Sequence, residues 1–454
     1  MDTGTPTFRH IGQRRRRADS PERLTGQTRF TNDLALPNAL HARFVRSPYA
    51  SARIVSVDKE AALATDGVVA VLTVEDLPLV DVESAVASRD IVLAYRRTLY
   101  VGHPVVVVLG ETEQAAQDGA AAVEVEYEPS EAVIDPIAAQ TSQVAVLPAQ
   151  RERDQAELAM HGAAVGGEEQ VDPSKPNVAG RTRFERGDVD AAFGQADVVV
   201  EREFSTSWVH QAYLEPQSCT ASVDPLGNLT VYASTQALFH TRAQVARALG
   251  LPDHRVTVQA MPVGGGFGGK FGFLEPTVAA LALAVGRPVR AVYTRQEEFS
   301  AADPAPESRI RVKIGARRDG TLVALDGELL FDAGARAGAP VGIAAIILGS
   351  LYRVESLRLR GTEVLTHKAA TGAYRAPGAP QAAFALESTL DEVARELGMD
   401  PLELRRRNAS REGDPQAQGE TWPRIGLLEC LDRARAAYDD EMAAKGPNEG
   451  VGIA

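Results

Sequence analysis

The stretch Gly264–Lys270 carries the residue types in this sequence that are best suited to binding a ligand. It reads Gly-Gly-Gly-Phe-Gly-Gly-Lys, so five of its first six residues are glycine. Each glycine loses conformational entropy on folding, and packing alone does not explain so many together. Backbone amides without side chains can approach a ligand closely, most often an anionic or ring-shaped one. We therefore expect a cofactor-binding loop, while a dinucleotide site and a purely structural glycine turn stay open.

Two known glycine motifs overlap this loop. Gly264 and Gly269-Lys270 have the spacing of a P-loop, but Phe271 replaces the Ser or Thr that would hold magnesium. The dinucleotide fingerprint also fits the spacing, and Glu297 would then be the ribose-binding acid. The helix that should follow at once begins several residues late, so this second match is weak. A nicotinamide-dependent dehydrogenase that uses Gly264–Gly269 remains an alternative function.

Three further groups of polar residues are candidates for a site. Gln236 stands between a predicted strand and a predicted helix, where it either faces a ligand or begins the helix. Arg375 lies between two turn-forming stretches and either donates bidentate hydrogen bonds to an oxo or phosphate group or caps a carbonyl. His210 and Glu215 resemble a metal-binding pair, but their spacing fits neither one helical face nor a common zinc pattern. A structural role is favoured for these two.

Composition limits the classes of function. The 454 residues carry a formal net charge of −13, and an acidic surface repels phosphate backbones, so we expect no nucleic-acid partner. The sequence has two cysteines, Cys219 and Cys430. Two are too few for a disulfide framework, a four-cysteine zinc site or an iron–sulfur cluster built by this chain alone. Redox chemistry would therefore need an organic cofactor or centres on a partner.

No apolar run is long enough to span a bilayer. Val278–Val285 and Val341–Leu348 fall well short of the roughly 20 residues that a membrane helix needs. The basic cluster Arg14–Arg17 is followed by polar residues rather than by an apolar stretch, so it does not predict a secretion signal. We expect no membrane association and a cytoplasmic location.

The sequence divides into four segments. Residues 1–20 form a basic N-terminal arm, and 21–137 alternate strand and helix patterns, as in a sheet with a helix against it. Residues 138–180 lose this periodicity and predict a linker. A second, larger domain of strands and helices occupies 181–454. The helices predicted over Gln381–Leu397 and Pro401–Arg407 are the best marked of this domain.

Several motifs in a fixed order together resemble one family, the molybdopterin-binding subunits of the xanthine dehydrogenase/aldehyde oxidase type. The motifs are Leu24-Thr-Gly-Gln, Phe30-Thr-Asn-Asp33, Arg46–Ile54, Val101-Gly-His-Pro104, His210 with Leu214-Glu215-Pro216, Ser234-Thr-Gln236, Gly264–Lys270, Tyr374–Gly378 and Gly398–Leu404. The resemblance implies an α+β chain with an N-terminal a/b hammerhead domain over 21–137. The first molybdopterin-binding domain would follow over 181–454.

The resemblance also implies a chemistry. Members of the family hydroxylate a carbon of an aldehyde or aromatic heterocycle with oxygen from water, and electrons leave through [2Fe-2S] clusters and FAD. We expect those centres on an iron–sulfur subunit and an FAD subunit rather than on this chain. The residues that would bind the molybdenum–molybdopterin cofactor are Gln236, Gly265, Gly266, Phe267, Gly268 and Arg375. Of these, Gln236, Phe267 and Arg375 would lie near molybdenum, with Gln236 hydrogen-bonded to its oxo-type ligand.

Two positions depart from the purine-oxidising members, which carry a glutamate where this chain has Phe271 and a phenylalanine where it has Pro377. Both positions would belong to the substrate pocket, so the resemblance favours an aldehyde or another heterocycle over a purine. The loop Ala373–Gly378 contains no cysteine, which disfavours the copper–molybdenum site of the carbon monoxide dehydrogenases of this family.

The family's second molybdopterin-binding domain has no counterpart in the sequence. That domain supplies the glutamate base, so the catalytic residue is expected beyond Ala454 or on another chain. We therefore expect the isolated chain to be inactive, as a fragment, a truncated product or one part of a split subunit whose partner supplies the second domain. A non-catalytic assembly or scaffold protein is the other alternative. Small-molecule substrate identity stays undetermined.

Overall fold

The computed structural model describes residues 8–87, 91–147 and 167–452. Strands and helices alternate along the described chain. The strands are β1 (Leu40–Arg46), β2 (Ala52–Asp58), β3 (Val68–Leu72), β4 (Arg97–Thr98), β5 (Pro104–Gly110), β6 (Glu124–Pro129), β7 (Glu168–Glu169), β8 (Val178–Arg186), β9 (Val198–Thr206), β10 (Ser218–Val223), β11 (Leu229–Ala233), β12 (Val256–Ala260), β13 (Val289–Val292), β14 (Ser308–Ala316), β15 (Leu322–Asp332) and β16 (Ser356–Val364).

The helices vary from one turn to five turns. They are α1 (Ser20–Leu24), α2 (Glu60–Leu63), α3 (Val82–Ala87), α4 (Glu113–Ala122), α5 (Pro136–Ala139), α6 (Val189–Phe193), α7 (Leu238–Leu249), α8 (Glu275–Val285), α9 (Arg295–Ala301), α10 (Val341–Ser350), α11 (Ala379–Leu397), α12 (Pro401–Asn408) and α13 (Leu427–Ala444). Mixed helices and sheets confirm the α+β class predicted from the sequence.

A seven-stranded sheet joins the N-terminal part of the chain to the part that carries the glycine loop. Its order is β12-β11-β10-β13-β1-β5-β3. β5 is buried along its whole length, as its apolar Val-Val-Val-Val-Leu run predicts for a central strand. β1 and β13 pair in parallel, with Leu40 opposite Val289. Strands expected in two separate domains therefore share one sheet and one apolar core.

A second sheet has six strands in the order β7-β8-β16-β15-β14-β9. Inward side chains of β14, such as Ile310 and Val312, pack with α10 and α11 to form the largest core cluster. The helix α10 is apolar on all sides, as expected for a helix that is enclosed in a core. A small three-stranded sheet, β4-β2-β6, completes the N-terminal region.

The expected linker over 138–180 lies partly outside the described residues, since 148–166 are not among them. At its start, the helix Pro136–Ala139 is capped by Asp135, whose carboxylate accepts the Ile137 N–H at 2.8 Å. At its end, Glu168–Glu169 and Val178 onward are strands of the six-stranded sheet. These described ends therefore belong to regular elements rather than to a linker.

The two best-marked helices form where the sequence predicts them. The long helix α11 ends at Gly398, which takes a left-handed φ of +64° and donates its N–H to the last carbonyls. The next helix begins at Pro401, and the Asp400 carboxylate accepts the Glu403 N–H at 3.0 Å as its N-cap. None of the helices in the part of the chain that the structure describes has the length and apolar character needed to cross a bilayer.

The shared sheet predicts that the two halves unfold together. Leu40 is fully buried on β1 between β5 and β13, so Leu40→Ala leaves a cavity in a core that both halves build. We expect a loss of about 2–4 kcal/mol in the free energy of unfolding. Urea unfolding followed by circular dichroism and by tryptophan fluorescence should give one coincident, shifted transition. Two separated transitions would contradict the common core.

Candidate functional site

The glycine loop adopts a backbone that side chains rarely permit. It follows β12 and precedes α8, and Gly265 and Gly268 take φ values of +106° and +104°. Phe267 itself lies in the left-handed region with φ of +51°, and its side chain is about half exposed. A hydrogen bond from Gly269 N–H to the Gly266 carbonyl, 2.8 Å long, closes the turn. The loop is therefore a tight, strained turn rather than a helix N-terminus.

Gln236 lies against this turn, at the end of β11. Its backbone N–H donates to the Lys270 carbonyl at 2.7 Å, and its carboxamide oxygen accepts the Gly268 N–H at 2.9 Å. A Cβ on Gly266 would lie 2.4 Å from that same carboxamide oxygen. Glycine is therefore required at position 266 for Gln236 to reach the loop.

The loop Ala373–Gly378, called the arginine loop from here on, contacts the glycine loop from the other side. The Arg375 backbone N–H donates to the Phe267 carbonyl at 2.9 Å. A Cβ on Gly268 would lie 2.5 Å from the Ala373 carbonyl oxygen, so the two backbones are in direct contact. Gln211 donates its Nε2 hydrogens to the Ala373 carbonyl and to the Asp303 carbonyl, each at 2.8 Å, and so holds this contact from behind.

The structure thus brings together every residue expected to bind a cofactor. They meet as one surface rich in hydrogen-bond donors. The N–H groups of Gly265, Gly266 and Phe267 form no hydrogen bond with described residues, and neither does the Arg375 guanidinium, which is exposed. Because the Gln236 oxygen is engaged, its NH₂ group is left to donate outward. Such a set suits an anionic, acceptor-rich group.

The two residues expected in a substrate pocket lie apart. Phe271 lines a pocket that it shares with Tyr100, Gln244 and Arg336. Pro377 lines a different groove beside the arginine loop, with Phe384 in its wall. Phe271 and Pro377 therefore each line a separate pocket, and their assignment to one substrate pocket stays a prediction.

The contacts of Glu297 and Lys270 disfavour the dinucleotide and P-loop alternatives. Glu297 binds Arg46, with a carboxylate oxygen 2.9 Å from Nη2, and also accepts the Thr294 N–H as part of the cap of α9. This carboxylate is therefore engaged rather than placed for a ribose. Lys270 is buried and paired with Glu215, so it does not extend toward a phosphate as a P-loop lysine does.

The His210 and Glu215 pair has the structural role that the sequence favours. His210 Nδ1 accepts the Ala212 N–H at 2.9 Å, and its Nε2 lies 3.5 Å from Glu298. Glu215 faces Lys270 instead. Among the described residues, no group of three or more His, Cys, Asp or Glu side chains is arranged to hold a metal ion.

A buried polar layer under the loop was not identified from the sequence. Gln217 donates to the Gly269 carbonyl at 2.6 Å and to the Tyr213 hydroxyl at 3.1 Å. Tyr213 in turn donates to Glu298, which is fully buried. The sequence signal nearest to this layer was the motif around residue 215, and the partners Gly269 and Glu298 lie more than 50 residues away in the chain.

Burial changes the acidity of groups in this layer. Desolvation lowers the pKa of Lys270, and hydrogen bonding and attraction to Glu215 oppose that shift. Burial raises the pKa of Glu275 to about 7, against its ordinary value of 4.5. Glu275 begins α8 and accepts the Phe273 N–H at 2.8 Å, so a change in its charge acts directly behind the loop.

Together, the fold and the donor-rich loops define a protein whose surface is suited to binding an anionic, acceptor-rich group against backbone amides. Residues 25–131 match the family described as aldehyde oxidase and xanthine dehydrogenase, a/b hammerhead domain. Residues 171–409 match the molybdopterin cofactor-binding domain. The chain belongs to the xanthine dehydrogenase and aldehyde oxidase family of molybdenum hydroxylases, as a molybdopterin-binding subunit.

Individual relatives support this membership. The nicotinate dehydrogenase large molybdopterin subunit of Eubacterium barkeri is 31% identical over 433 residues, which cover 94% of this chain and 96% of that relative. The xanthine dehydrogenase molybdenum-binding subunit of Escherichia coli O157:H7 is 31% identical over 465 residues, which cover 96% of this chain and 58% of the relative.

Solved structures share the fold. The aldehyde oxidoreductase of Desulfovibrio gigas superposes with a TM-score of 0.82 at 25% identity, covering 96% of this chain and 47% of that one. Quinoline 2-oxidoreductase of Pseudomonas putida 86 gives a TM-score of 0.80 at 29% identity, covering 94% and 54%. This chain therefore spans about half the length of these two structures.

The contact between Gly268 and Ala373 can be tested by adding one methyl group. Gly268→Ala combines a φ of +104° with a Cβ that would lie only 2.5 Å from the Ala373 carbonyl oxygen, so we expect a loss of about 3 kcal/mol in unfolding free energy. Gly398→Ala is the matched control, since its φ is also positive but nothing lies within 4 Å of the added Cβ. It should cost about 1 kcal/mol in urea unfolding. Equal costs would show that the two loops are not in contact.

Glu275 predicts a specific pH dependence of stability. Because its folded pKa of about 7 exceeds the ordinary 4.5, the native state holds a proton that the unfolded state releases, and stability falls as pH rises from about 4.5 to 7. Glu275→Gln should remove this slope and raise the free energy of unfolding at pH 8 by about 3 kcal/mol. Urea unfolding at several pH values measures it. Glu396→Gln, an exposed control on α11, should leave the slope intact, and an unchanged slope in Glu275→Gln would refute the assignment.

Proposed function

We propose that this chain forms one wall of the molybdenum cofactor site in a hydroxylase that acts on an aldehyde or an aromatic heterocycle. The observation that carries the proposal is the orientation of Gln236. Its carboxamide oxygen is held by the Gly268 N–H at 2.9 Å, so its NH₂ group is left to donate to a ligand. A glutamine fixed in this way can hydrogen-bond an oxo-type acceptor but cannot easily rotate to accept instead.

The residues present fit a molybdenum–molybdopterin cofactor. When bound, that cofactor takes two electrons from the substrate carbon as oxygen from water is inserted. The backbone amides of Gly265, Gly266 and Phe267, which have no partner among the described residues, would hydrogen-bond its anionic atoms. A side chain at position 266 would collide with Gln236, so the loop offers bare backbone where a rigid group must approach closely.

Each residue then has a separate task. Gln236 would orient the oxo-type ligand through its NH₂ group. Phe267 and Gly268 would lie against the metal and the pterin, and the exposed Phe267 ring would exclude water from one side of the site. Arg375, tied to Phe267 through its backbone, would supply a positive charge on the opposite side. None of these residues can act as a base. We therefore propose that the second molybdopterin-binding region supplies the base glutamate.

A second surface is needed to close the site. Phe267 and Tyr374, at the centre of the two loops, are exposed. Leu214, which precedes Glu215, and Phe239, three residues after Gln236, are exposed as well. Exposed aromatic and aliphatic side chains of this kind typically mark a contact surface. We propose that a second molybdopterin-binding region covers them, supplied by a further part of the same subunit or by another chain, as the name of the large molybdopterin subunit of E. barkeri suggests for that protein.

We propose that electrons leave the site through redox centres outside the residues of this chain. Cys219 is buried and Cys430 is exposed, and two cysteines do not ligate an iron–sulfur cluster. We therefore propose an iron–sulfur subunit with [2Fe-2S] clusters and an FAD subunit as partners, with the complex working in the cytoplasm. Relatives named for nicotinate, quinoline and aldehydes support these two substrate classes, while others are named for xanthine and carbon monoxide.

The decisive measurement is metal content and turnover of the complex purified from its native host. We expect about one molybdenum per chain, with iron in the same peak. Gln236→Ala and Arg375→Ala should each lower kcat by about a hundredfold, because each removes a donor to developing negative charge. Gln195→Ala, an exposed glutamine after α6, is the control and should keep full activity.

Other outcomes separate the alternatives. Full turnover with both residues changed would remove them from the site. A chain that elutes alone without molybdenum would favour an assembly or scaffold protein, and saturable NAD binding that Gly266→Ala abolishes would favour the nicotinamide-dependent dehydrogenase.

A further inference from the structure

A single buried carboxylate oxygen joins the two ends of the glycine loop. Glu215 Oε2 accepts the backbone N–H of Gly264 at 2.7 Å and the ammonium of Lys270 at 2.8 Å. The Ser234 hydroxyl donates to the same oxygen at 2.5 Å. Gly264 and Lys270 are the first and last residues of the loop, so one atom fixes the distance between its ends.

Lys270 depends on this carboxylate. Its side chain is fully buried, and its ammonium also lies 2.9 Å from Ser234 Oγ and 4.8 Å from the centre of the Tyr213 ring. A buried ammonium without a carboxylate partner is strongly unfavourable, and so is the reverse. Loss of either charge therefore leaves the other group buried without its ionic partner.

Hydrogen bonds also connect the Glu215–Lys270 ion pair to Gln236, which faces outward. The Lys270 carbonyl accepts the backbone N–H of Gln236 at 2.7 Å. Ser234, two residues earlier, contacts both members of the pair. A shift of Lys270 would therefore move Gln236 as well as the loop, although both charged groups lie behind the loop and away from its outer face.

We propose that Glu215 and Lys270 are a positioning pair for the cofactor: by fixing both ends of the loop they aim the free amides of residues 265–267 and the Gln236 NH₂ group at one ligand. This role rests on the proposed function for the identity of the ligand. The pair acts through the loop and touches no reacting atom. It explains why a buried charge pair, which contributes little net stability compared with apolar packing, is placed under this loop.

Hydrogen exchange and metal content test the pair in the complex from the native host. Glu215→Gln keeps the shape but removes the charge that holds Lys270. We expect exchange of the peptide covering 262–274 to accelerate by about tenfold or more while α11 is unchanged. Molybdenum per chain should fall by about tenfold. Lys270→Met should act alike, and Lys270→Arg, which retains the charge, should restore part of the metal content.

A second ion pair provides the control. Arg405 Nε on α12 lies 2.7 Å from Glu387 Oε2 on α11, and the side chains are 5% and 30% exposed. Asp391 also lies 2.8 Å from Arg405 Nη1. Glu387→Gln should lower the thermal midpoint by less than Glu215→Gln, because Asp391 still pairs with Arg405, and should leave loop exchange and molybdenum unchanged. If Glu215→Gln does not fold, Ser234→Ala replaces it as the test variant, because it is a milder change that removes one donor to Glu215.

The outcomes are distinct. Loop exchange at the wild-type rate in Glu215→Gln and Ser234→Ala, or changes equal to those of Glu387→Gln, would overturn the positioning role. A wild-type complex without molybdenum would instead contradict the proposed function, and the exchange comparison would still decide whether the pair fixes the loop.

Discussion

The site depends on how closely three stretches of backbone and one carboxamide can approach each other. Gln236 reaches into the turn so that its oxygen meets the Gly268 N–H, while the Ala373 carbonyl lies where a Cβ of Gly268 would be. Contacts this close exclude any side chain on the loop at positions 266 and 268. The unusual glycine content, the positive φ angles and the outward direction of the free donors all follow from that exclusion.

The sheets supply the rigidity that this arrangement requires. β11 delivers Ser234 and Gln236, the neighbouring parallel strand β12 leads into the glycine loop, and the next antiparallel strand β10 follows the segment that carries Glu215. Because β13 also pairs with β1, the N-terminal region supports the same platform rather than standing apart from it. Elements that enter the site from distant parts of the sequence are thus fixed by one hydrogen-bonded sheet, and a site carried by rigid elements loses little entropy when a ligand binds.

Charge is distributed in two layers. The outer layer is rich in donors, with free amides and the Arg375 guanidinium, whereas the inner layer holds buried carboxylates at Glu215, Glu275 and Glu298. Each inner carboxylate accepts at least one backbone or side-chain hydrogen bond. In a medium of low dielectric, such bonds are strong and their loss is costly. The inner layer therefore stabilises one conformation of the loop, and the outer layer remains available for an anionic ligand.

The amino-acid sequence by itself indicated the residue types of the candidate site and several of the local elements. The glycine run was identifiable because glycine density has a direct local cause, whereas Gln236 and Arg375 kept structural alternatives until the family resemblance gave them expected roles. The helices α11 and α12 follow from their periodicity and caps. Only the tertiary structure decided the pairing of β1 with β13, the role of Glu215 beneath the loop and the separation of Phe271 from Pro377 into different pockets. Sequence patterns report interactions over a few residues, whereas these contacts join residues dozens to hundreds of positions apart. Such contacts form only when the packing of whole sheets and helices brings their partners together.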